Sequence, residues 1–497
     1  MPRTDSRRQV GEVVGEPYPS TREAYFLIYP NEEVKPLELL ITPIKDEIWA
    51  ILRVSQVYFK DPYRTAEAVD VSKKSGIPTI PEGLSEASVL PGVYKLAAAD
   101  IVDCFVDEAD PRPIGRVATP VPGHPVYKAD ERVVRVIVGN PQHPIRIGHL
   151  AGTDNVEFVL EANSLMRHCL IVGNPGTGKS FFRGILMEDL YDLGALQVNF
   201  DPLDEYEYTV EDIGGRNVLI GRDYRPRLDY LSEGEFSALI ESYVPTEFQR
   251  AIAREGFNEY VKECRRCEAI GRPIPDPNRR LIELIEEAAH RMRAGEDTRI
   301  NVVERVRTLL NSLGIAGTGG LDLASEISQR KLVNFVFRNV SELQITFAVA
   351  SILKEIQRLR ERNQIRPLLV SADEAHLLVP SGKANPPSKG VIKRIMRYGR
   401  HFGIGVMLIT QLPASLDPEV VSLPSVRVFF ATSTEQIRGI SYLLADLPKT
   451  VIEDIPKLER GTAIITGARD LIRHSAYVRV RSERRSRHGA PTPPLIA

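Results

Sequence analysis

Gly173, Gly178, Lys179 and Ser180 stand in the order G-x-x-x-x-G-K-S within the stretch LIVGNPGTGKSFF, Leu170 to Phe182. That spacing suits the holding of nucleotide phosphates. Glycines at 173, 176 and 178 let the backbone take conformations a Cβ forbids, so that successive N–H groups turn inward on phosphate oxygens. A helix starting near Lys179 adds its positive N-terminal end. The reading makes Gly173, Asn174, Pro175, Gly176, Thr177, Gly178, Lys179, Ser180 and Phe181 the nucleotide loop. Lys179 reaches the β- and γ-phosphates, Ser180 ligates Mg²⁺, and Thr177 and Phe181 lie beside the nucleotide.

A phosphate loop needs a second half. In LLVSADEAH an apolar run ends at Asp373 and Glu374, which sets two carboxylates at the C-terminal edge of a sheet. Asp373 is suited to hold Mg²⁺ through water and Glu374 to polarise an attacking water. Gln411 closes GVMLITQ, where an amide can sense the γ-phosphate, and Asp201 closes LQVNFD, where it can join the metal network. From Ala375 to Leu416 there is no acidic residue, while Lys383, Lys389, Lys393, Arg394, Arg397 and Arg400 all fall there. Such a run is usually a solvated face. Its place directly after the hydrolytic pair also suits an arginine offered to a neighbouring subunit and phosphate contacts to a nucleic acid.

The elements that must position these residues follow from the pattern. Residues 1–135 read as short strands separated by Pro- and Gly-rich turns, EAYFLIY, LELLITPI, EIWAILRVSQVYF, GVYKLAAADIVDCFV and ERVVRVIV, which suggests a small barrel. Residues 136–231 alternate strand and helix around the phosphate loop. Residues 232–330 read as a helical insertion, with Val302, Val306, Leu309, Leu310 and Leu313 on one face. Alternation returns over 331–481, and 482–497 form an arm and tail whose end, GAPTPPLIA, reads as disordered. The fold class is thus α/β, a parallel-rich sheet with an N-terminal β-barrel and a helical insertion.

Composition narrows the setting. Net charge is −2, so any nucleic-acid contact depends on where charge sits rather than on its sum. Four cysteines in 497 residues argue against a disulfide framework, and the lone C-x-x-C of Cys264 and Cys267 lacks a second pair at zinc spacing. With no long apolar run and no apolar segment after the basic N-terminus, the expectation is a cytoplasmic protein without a membrane anchor.

The ordered set of small barrel, GNPGTGKS, NFDPLDEY, helical insertion, SADEAH and MRYGRHFGIGVMLITQLPASL resembles the HerA family of hexameric DNA translocases, in the HerA/FtsK branch of RecA-like P-loop ATPases. The resemblance spans nearly the whole chain and implies a RecA-like core, an N-terminal HAS barrel, a homo-hexameric ring on double-stranded DNA, ATP and Mg²⁺ as cofactors, and a NurA-type nuclease partner in DNA end processing. Asp201, Glu205 and Tyr206 match the family's D-P-x-x-E-Y segment. Arg400 matches the arginine offered in trans, with Arg167 or Arg397 as further candidates. Lys389 and Lys393 are the candidates for pore contacts to DNA, and the Arg-rich stretch from Arg473 to Arg487 is the alternative. The loop departs from the T-G-S-G-K-S type of its relatives, which leaves Lys179 and the backbone cradle intact. Rival readings are a coupling ATPase, which usually carries transmembrane segments, and a scaffold ATPase that assembles an effector.

Overall fold

The computed structural model describes residues 8–45, 47–60, 94–106, 111–139, 141–153, 156–272, 274–317, 320–444, 447 and 449–487, so the tail GAPTPPLIA lies outside the described residues. The chain forms two units. One takes residues 1–140, 148–158 and 472–479, the other 141–147, 159–471 and 480–497.

In the first unit the strands are β1 (Gln9–Val13), β2 (Glu23–Ile28), β3 (Leu39–Lys45), β4 (Ile48–Lys60), β5 (Tyr94–Val106), β6 (Arg112–Pro113) and β7 (Pro125–Lys128). The order β2-β1-β7-β3-β4-β5 closes on itself through β2–β5, which makes a six-stranded antiparallel barrel, and β6 adds to β5. Period-two alternation sets the register: Ala24, Phe26 and Ile28 of β2 point inward and join Val10, Leu40, Leu52, Ala97 and Val126 in the core.

One expected strand is a helix. ERVVRVIV forms α1 (Glu131–Val138), because its ends carry helix signals that outweigh its valines. Asp130 accepts a hydrogen bond from the Val133 amide, Arg135 pairs with Glu131 one turn back at 2.8 Å, and Gly139 stops the helix at a φ of +77°.

The second unit holds the large sheet. Its strands are β10 (Cys169–Val172), β11 (Leu196–Asp201), β12 (Arg216–Leu219), β13 (Leu332–Val336), β14 (Leu368–Ala372), β15 (Ile404–Thr410), β16 (Val426–Phe429) and β17 (Thr462–Gly467). They run in the order β12-β13-β11-β14-β15-β10-β16-β17, parallel except for the β16–β17 pair. Every residue of β10, β11, β13, β14 and β15 is buried, as expected of parallel strands covered on both faces. The chain passes between the units within β8 (Pro144–Leu150), β9 (Glu157–Glu161) and β18 (Ala476–Val480).

Four helices matter to the site: α2 (Lys179–Asp192), α3 (Glu207–Ile213), and, following the insertion, α10 (Ala375–Leu378) and α11 (Pro387–Phe402). The insertion is helical, with α4 (Glu233–Ile240), α5 (Glu247–Ala269), α6 (Pro277–Arg291), α7 (Glu296–Ser312) and α8 (Leu323–Arg330), before α9 (Glu342–Glu361) returns to the sheet. Val302, Val306, Leu309, Leu310 and Leu313 are buried together as their spacing predicts, and Phe236 stacks on Phe257 with ring centres 4.0 Å apart. Cys264 and Cys267 lie on α5 as free thiols.

Candidate nucleotide site

Four neighbouring parallel strands, β11, β14, β15 and β10, end at the same edge, and each releases a polar group there. The loop after β10 turns tightly: a Cβ on Gly173 would lie 2.7 Å from Phe430 Cβ and 2.8 Å from Thr177 Oγ1. Gly176 and Gly178 sit at φ of +76° and +117°, conformations that L side chains rarely adopt. Asn174 is the inner anchor of the loop. Its carbonyl accepts from Lys179 Nζ at 2.9 Å and from the Thr177 hydroxyl at 2.7 Å. Burial lowers the Lys179 pKa from its ordinary value, opposed by the charges of Asp373, Glu374 and Glu205.

Ser180, on the first turn of α2, donates to Glu205 Oε2 at 2.5 Å. Glu205 is placed by Asp201, whose carboxylate accepts from the amides of Glu205 at 3.0 Å and Tyr206 at 2.9 Å. Asp204, at a φ of +56°, makes the turn that brings both amides round. The Tyr206 hydroxyl in turn donates to Asp373 at 2.7 Å, and Asp373 accepts from the Glu374 amide at 2.8 Å. Gln411 donates to Glu374 Oε1 at 3.0 Å, and His376 Nδ1 lies 3.1 Å from the other carboxylate oxygen. Hydrogen bonds therefore connect Ser180 to Glu205 and Asp201, and Tyr206 through Asp373 to Glu374 and Gln411.

The electrostatics are those of a crowded acidic site. Burial pushes Asp201 up to about 7 and Asp373 up to about 6, with neighbouring carboxylates adding to both. Glu374 stands in the left-handed region at φ +46°, ψ +44°, a strained setting for a non-glycine residue, on the order of 1–3 kcal/mol.

Other expected residues lie apart from this line. Arg167 precedes β10 at the opposite end of that strand from the loop and pairs with Asp470 of its own chain. On α11, Lys389 is 8 % exposed, donates to the carbonyls of Ala384 and Gly382, and faces Asp417 at 3.4 Å. Lys393 pairs with Asp417 at 3.3 Å and Glu419 at 3.0 Å, and Arg397 pairs with Glu419. The two candidates for pore contacts, Lys389 and Lys393, thus already face acidic partners: the carboxylates that the sequence lacks up to Leu416 arrive at 417 and 419 and lie against the helix. The backbone of Arg400 belongs to α11, while its side chain lies outside the described residues.

Sequence reasoning missed several groups. His376 is the last letter of DEAH yet was given no role, and it flanks Glu374. Asn199, Asn334 and Asn217 form an amide ladder across β11, β13 and β12, at 2.7 and 3.0 Å, buried at Asn199 and Asn334 and half-buried at Asn217, whose middle member lies 3.5 Å from Asp201. A polar residue at the middle of an apolar strand was the available signal. Arg183, one turn beyond Lys179, is fully buried, and burial lowers its pKa to about 10, opposed by Tyr206 and Asp373.

The family described as "Helicase HerA, central domain" matches residues 145–356, which take in the loop, Asp201 to Tyr206 and the insertion. Over that region the chain is similar to the HerA helicases. A "DNA double-strand break repair helicase HerA" of Sulfolobus acidocaldarius is 28% identical over 372 residues, covering 70% of this chain and 71% of the relative. Among solved structures, VirB4 of Thermoanaerobacter pseudethanolicus superposes with a TM-score of 0.53 at 16% identity, covering 69% of this chain and 98% of that one. The plasmid coupling protein TrwB in complex with ADP and Mg²⁺ gives a TM-score of 0.50 at 15% identity, over 72% of this chain and 93% of that one. At these identities the structural likenesses establish the fold. The chain carries a P-loop ATPase core similar to that of the HerA helicases, and no helix among its described residues is long and apolar enough to cross a membrane.

Proposed function

We propose that the chain hydrolyses ATP to move along double-stranded DNA as a homo-hexameric ring, working with a NurA-type nuclease in processing DNA ends. The observation that carries the chemical part is the convergence of the Ser180–Glu205 pair and the Tyr206–Asp373–Glu374–Gln411 chain at one sheet edge. Tight glycines, a lysine folded onto the loop backbone and hard oxygen donors together fit a Mg²⁺-nucleotide. Mg²⁺, held by Ser180 and Asp373, would neutralise charge on the β- and γ-phosphates. Lys179 exchanges the Asn174 carbonyl for phosphate oxygen. Glu374 accepts a proton from the water that attacks the γ-phosphorus, and ADP leaves. Gln411 orients that carboxylate until the γ-phosphate draws its amide away. Asp201 fixes Glu205 through the backbone rather than by touching the nucleotide.

Arg400 completes the neighbouring subunit's site, so turnover requires the ring. The test mixes Arg400→Ala with Glu374→Gln subunits, each inactive alone. Random exchange leaves about one interface in four intact, so single-turnover hydrolysis recovers above either parent. No recovery with exchange verified would move the trans role to Arg397 or Arg167. Addition of blunt duplex DNA should raise ATP turnover; a rate indifferent to DNA would overturn the motor reading.

A further inference from the structure

The segment Arg481 to Arg487, RSERRSR, runs along α2 and α3, the two helices that carry the ends of the site. On α2 its anchor is Glu188, whose carboxylate accepts from Arg484 Nε at 3.2 Å, from the amides of Ser486 at 2.9 Å and Arg485 at 3.3 Å, and from the Ser486 hydroxyl. The Arg484 guanidinium fills the space beside Gly184, where a Cβ would lie 2.1 Å from its Cζ, and its carbon is 5.5 Å from the centre of the Phe181 ring. Residues 181, 184 and 188 form one stripe of the helix. Arg481 adds a bond to Asp189 at 2.7 Å.

On α3 the grip is Arg487. Its amide donates to Asp212 at 2.7 Å, its guanidinium donates to both oxygens of that carboxylate at 2.8 to 3.2 Å, and it lies 4.9 Å from the Tyr208 ring centre. Thr209 donates to the Arg487 carbonyl at 2.9 Å and accepts from Arg484, which thus touches both helices. The Arg484–Glu188 pair is nearly closed to water, with side chains 3% and 6% exposed, so losing one partner leaves a buried charge. Arg485–Asp192 is about half exposed and carries little.

The consequence lies in where the two helices begin. Ser180 is on the first turn of α2, and Glu205 and Tyr206 lead directly into α3. We propose that Arg484 and Arg487 are positioning residues for nucleotide turnover: by clasping α2 to α3 they set Ser180 against Glu205 and Tyr206 against Asp373, and so tune the site's affinity for Mg²⁺-nucleotide. This rests on the reading of the site as a Mg²⁺-dependent ATPase.

Two measurements on the full chain test it, amide hydrogen exchange without nucleotide and the Mg²⁺ dependence of ATP turnover. In Arg484→Gln, exchange rises over residues 180–186 and 205–212 and stays unchanged in the barrel. The Mg²⁺ concentration for half-maximal turnover rises about tenfold, as when the groups behind metal ligands are removed. Arg484→Lys recovers part of that loss. Gly184→Ala, which displaces Arg484 although alanine is the better helix former, behaves like Arg484→Gln, and so separates the clasp from helix stability. Arg485→Gln stays within about twofold of the parent. Should Arg484→Gln fail to fold, Gly184→Ala and Arg487→Gln carry the test. Unchanged exchange and Mg²⁺ dependence in these variants overturn the clasp. Turnover that survives in Lys179→Ala overturns the ATPase reading instead.

Discussion

Asp103 of the barrel unit and Asp373 of the ATPase unit are both nearly closed to water, at 1% and 6% exposed, yet burial has opposite outcomes for them. For Asp103 burial acts upward, but Arg473 Nε and His474 Nε2, each 2.8 Å from Oδ2, outweigh it and hold the pKa at about 2. Asp103 also accepts from the amides of Cys104 at 2.8 Å and Gly115 at 2.6 Å. Asp373 has the Tyr206 hydroxyl and one amide, and sits among other carboxylates, so burial prevails and pushes it up to about 6. Asp103 is held by basic side chains of its own unit, Arg473 and His474. Asp373 has no such ion pair among the described residues, and the proposed Mg²⁺ would supply the opposite charge.

The largest expected effect sharpens the site half of that contrast. Glu374→Gln should lower single-turnover hydrolysis by on the order of 10³ while nucleotide affinity holds, whereas Lys179→Ala should lose the affinity itself. Equal losses of affinity in equilibrium binding would show that the two residues do not divide the work in this way.

Next comes the direct exchange of the two aspartates. Asp103→Asn should destabilise the barrel by about 2 kcal/mol, read by hydrogen exchange, since it strands Arg473 and His474; the figure is kept low because Arg473 is partly exposed. Asp373→Asn should leave exchange in the nucleotide-free protein unchanged or slower, and yet abolish turnover. A destabilised Asp373→Asn protein would break the comparison.

Acid should separate the units more gently. Asp103 has a folded pKa of about 2 against an ordinary 3.8, so its contribution is fully present above about pH 4 and is lost as pH falls toward 2. The denaturant midpoint of the barrel should fall over that window, and Asp103→Asn should flatten the fall.

The smallest effect concerns α11. Because Lys389 and Lys393 are already matched by Asp417 and Glu419, replacing both with glutamine should change the log–log salt slope of DNA binding by less than about one unit. A drop near two would mean that both reach phosphates directly.

Much of this was legible in the chain because the information is local. G-x-x-x-x-G-K-S fixes a loop whose glycines have no substitute, and apolar runs ending in Asp201, Asp373 and Gln411 announce buried parallel strands with polar ends. The period of the insertion named its buried face correctly. Where two local signals conflicted, as in ERVVRVIV, valines argued for a strand and the caps Asp130 and Gly139 decided for a helix.

What the sequence determined by itself, then, was which groups stand at strand ends and on the loop, since a strand and its following turn are read from a dozen neighbouring residues. Only the tertiary structure decided which of them meet. Strand order brings β11, β14, β15 and β10 side by side, although their residues are spread from 169 to 410. Ion pairing is likewise nonlocal: Asp417 and Glu419 pair with Lys389, Lys393 and Arg397 of a helix that looks basic in sequence, and Arg484 packs onto Gly184, 300 residues earlier. Charge is a property of composition, but its field depends on which opposite charge the fold places within a few ångströms, and no spacing along the chain records that distance.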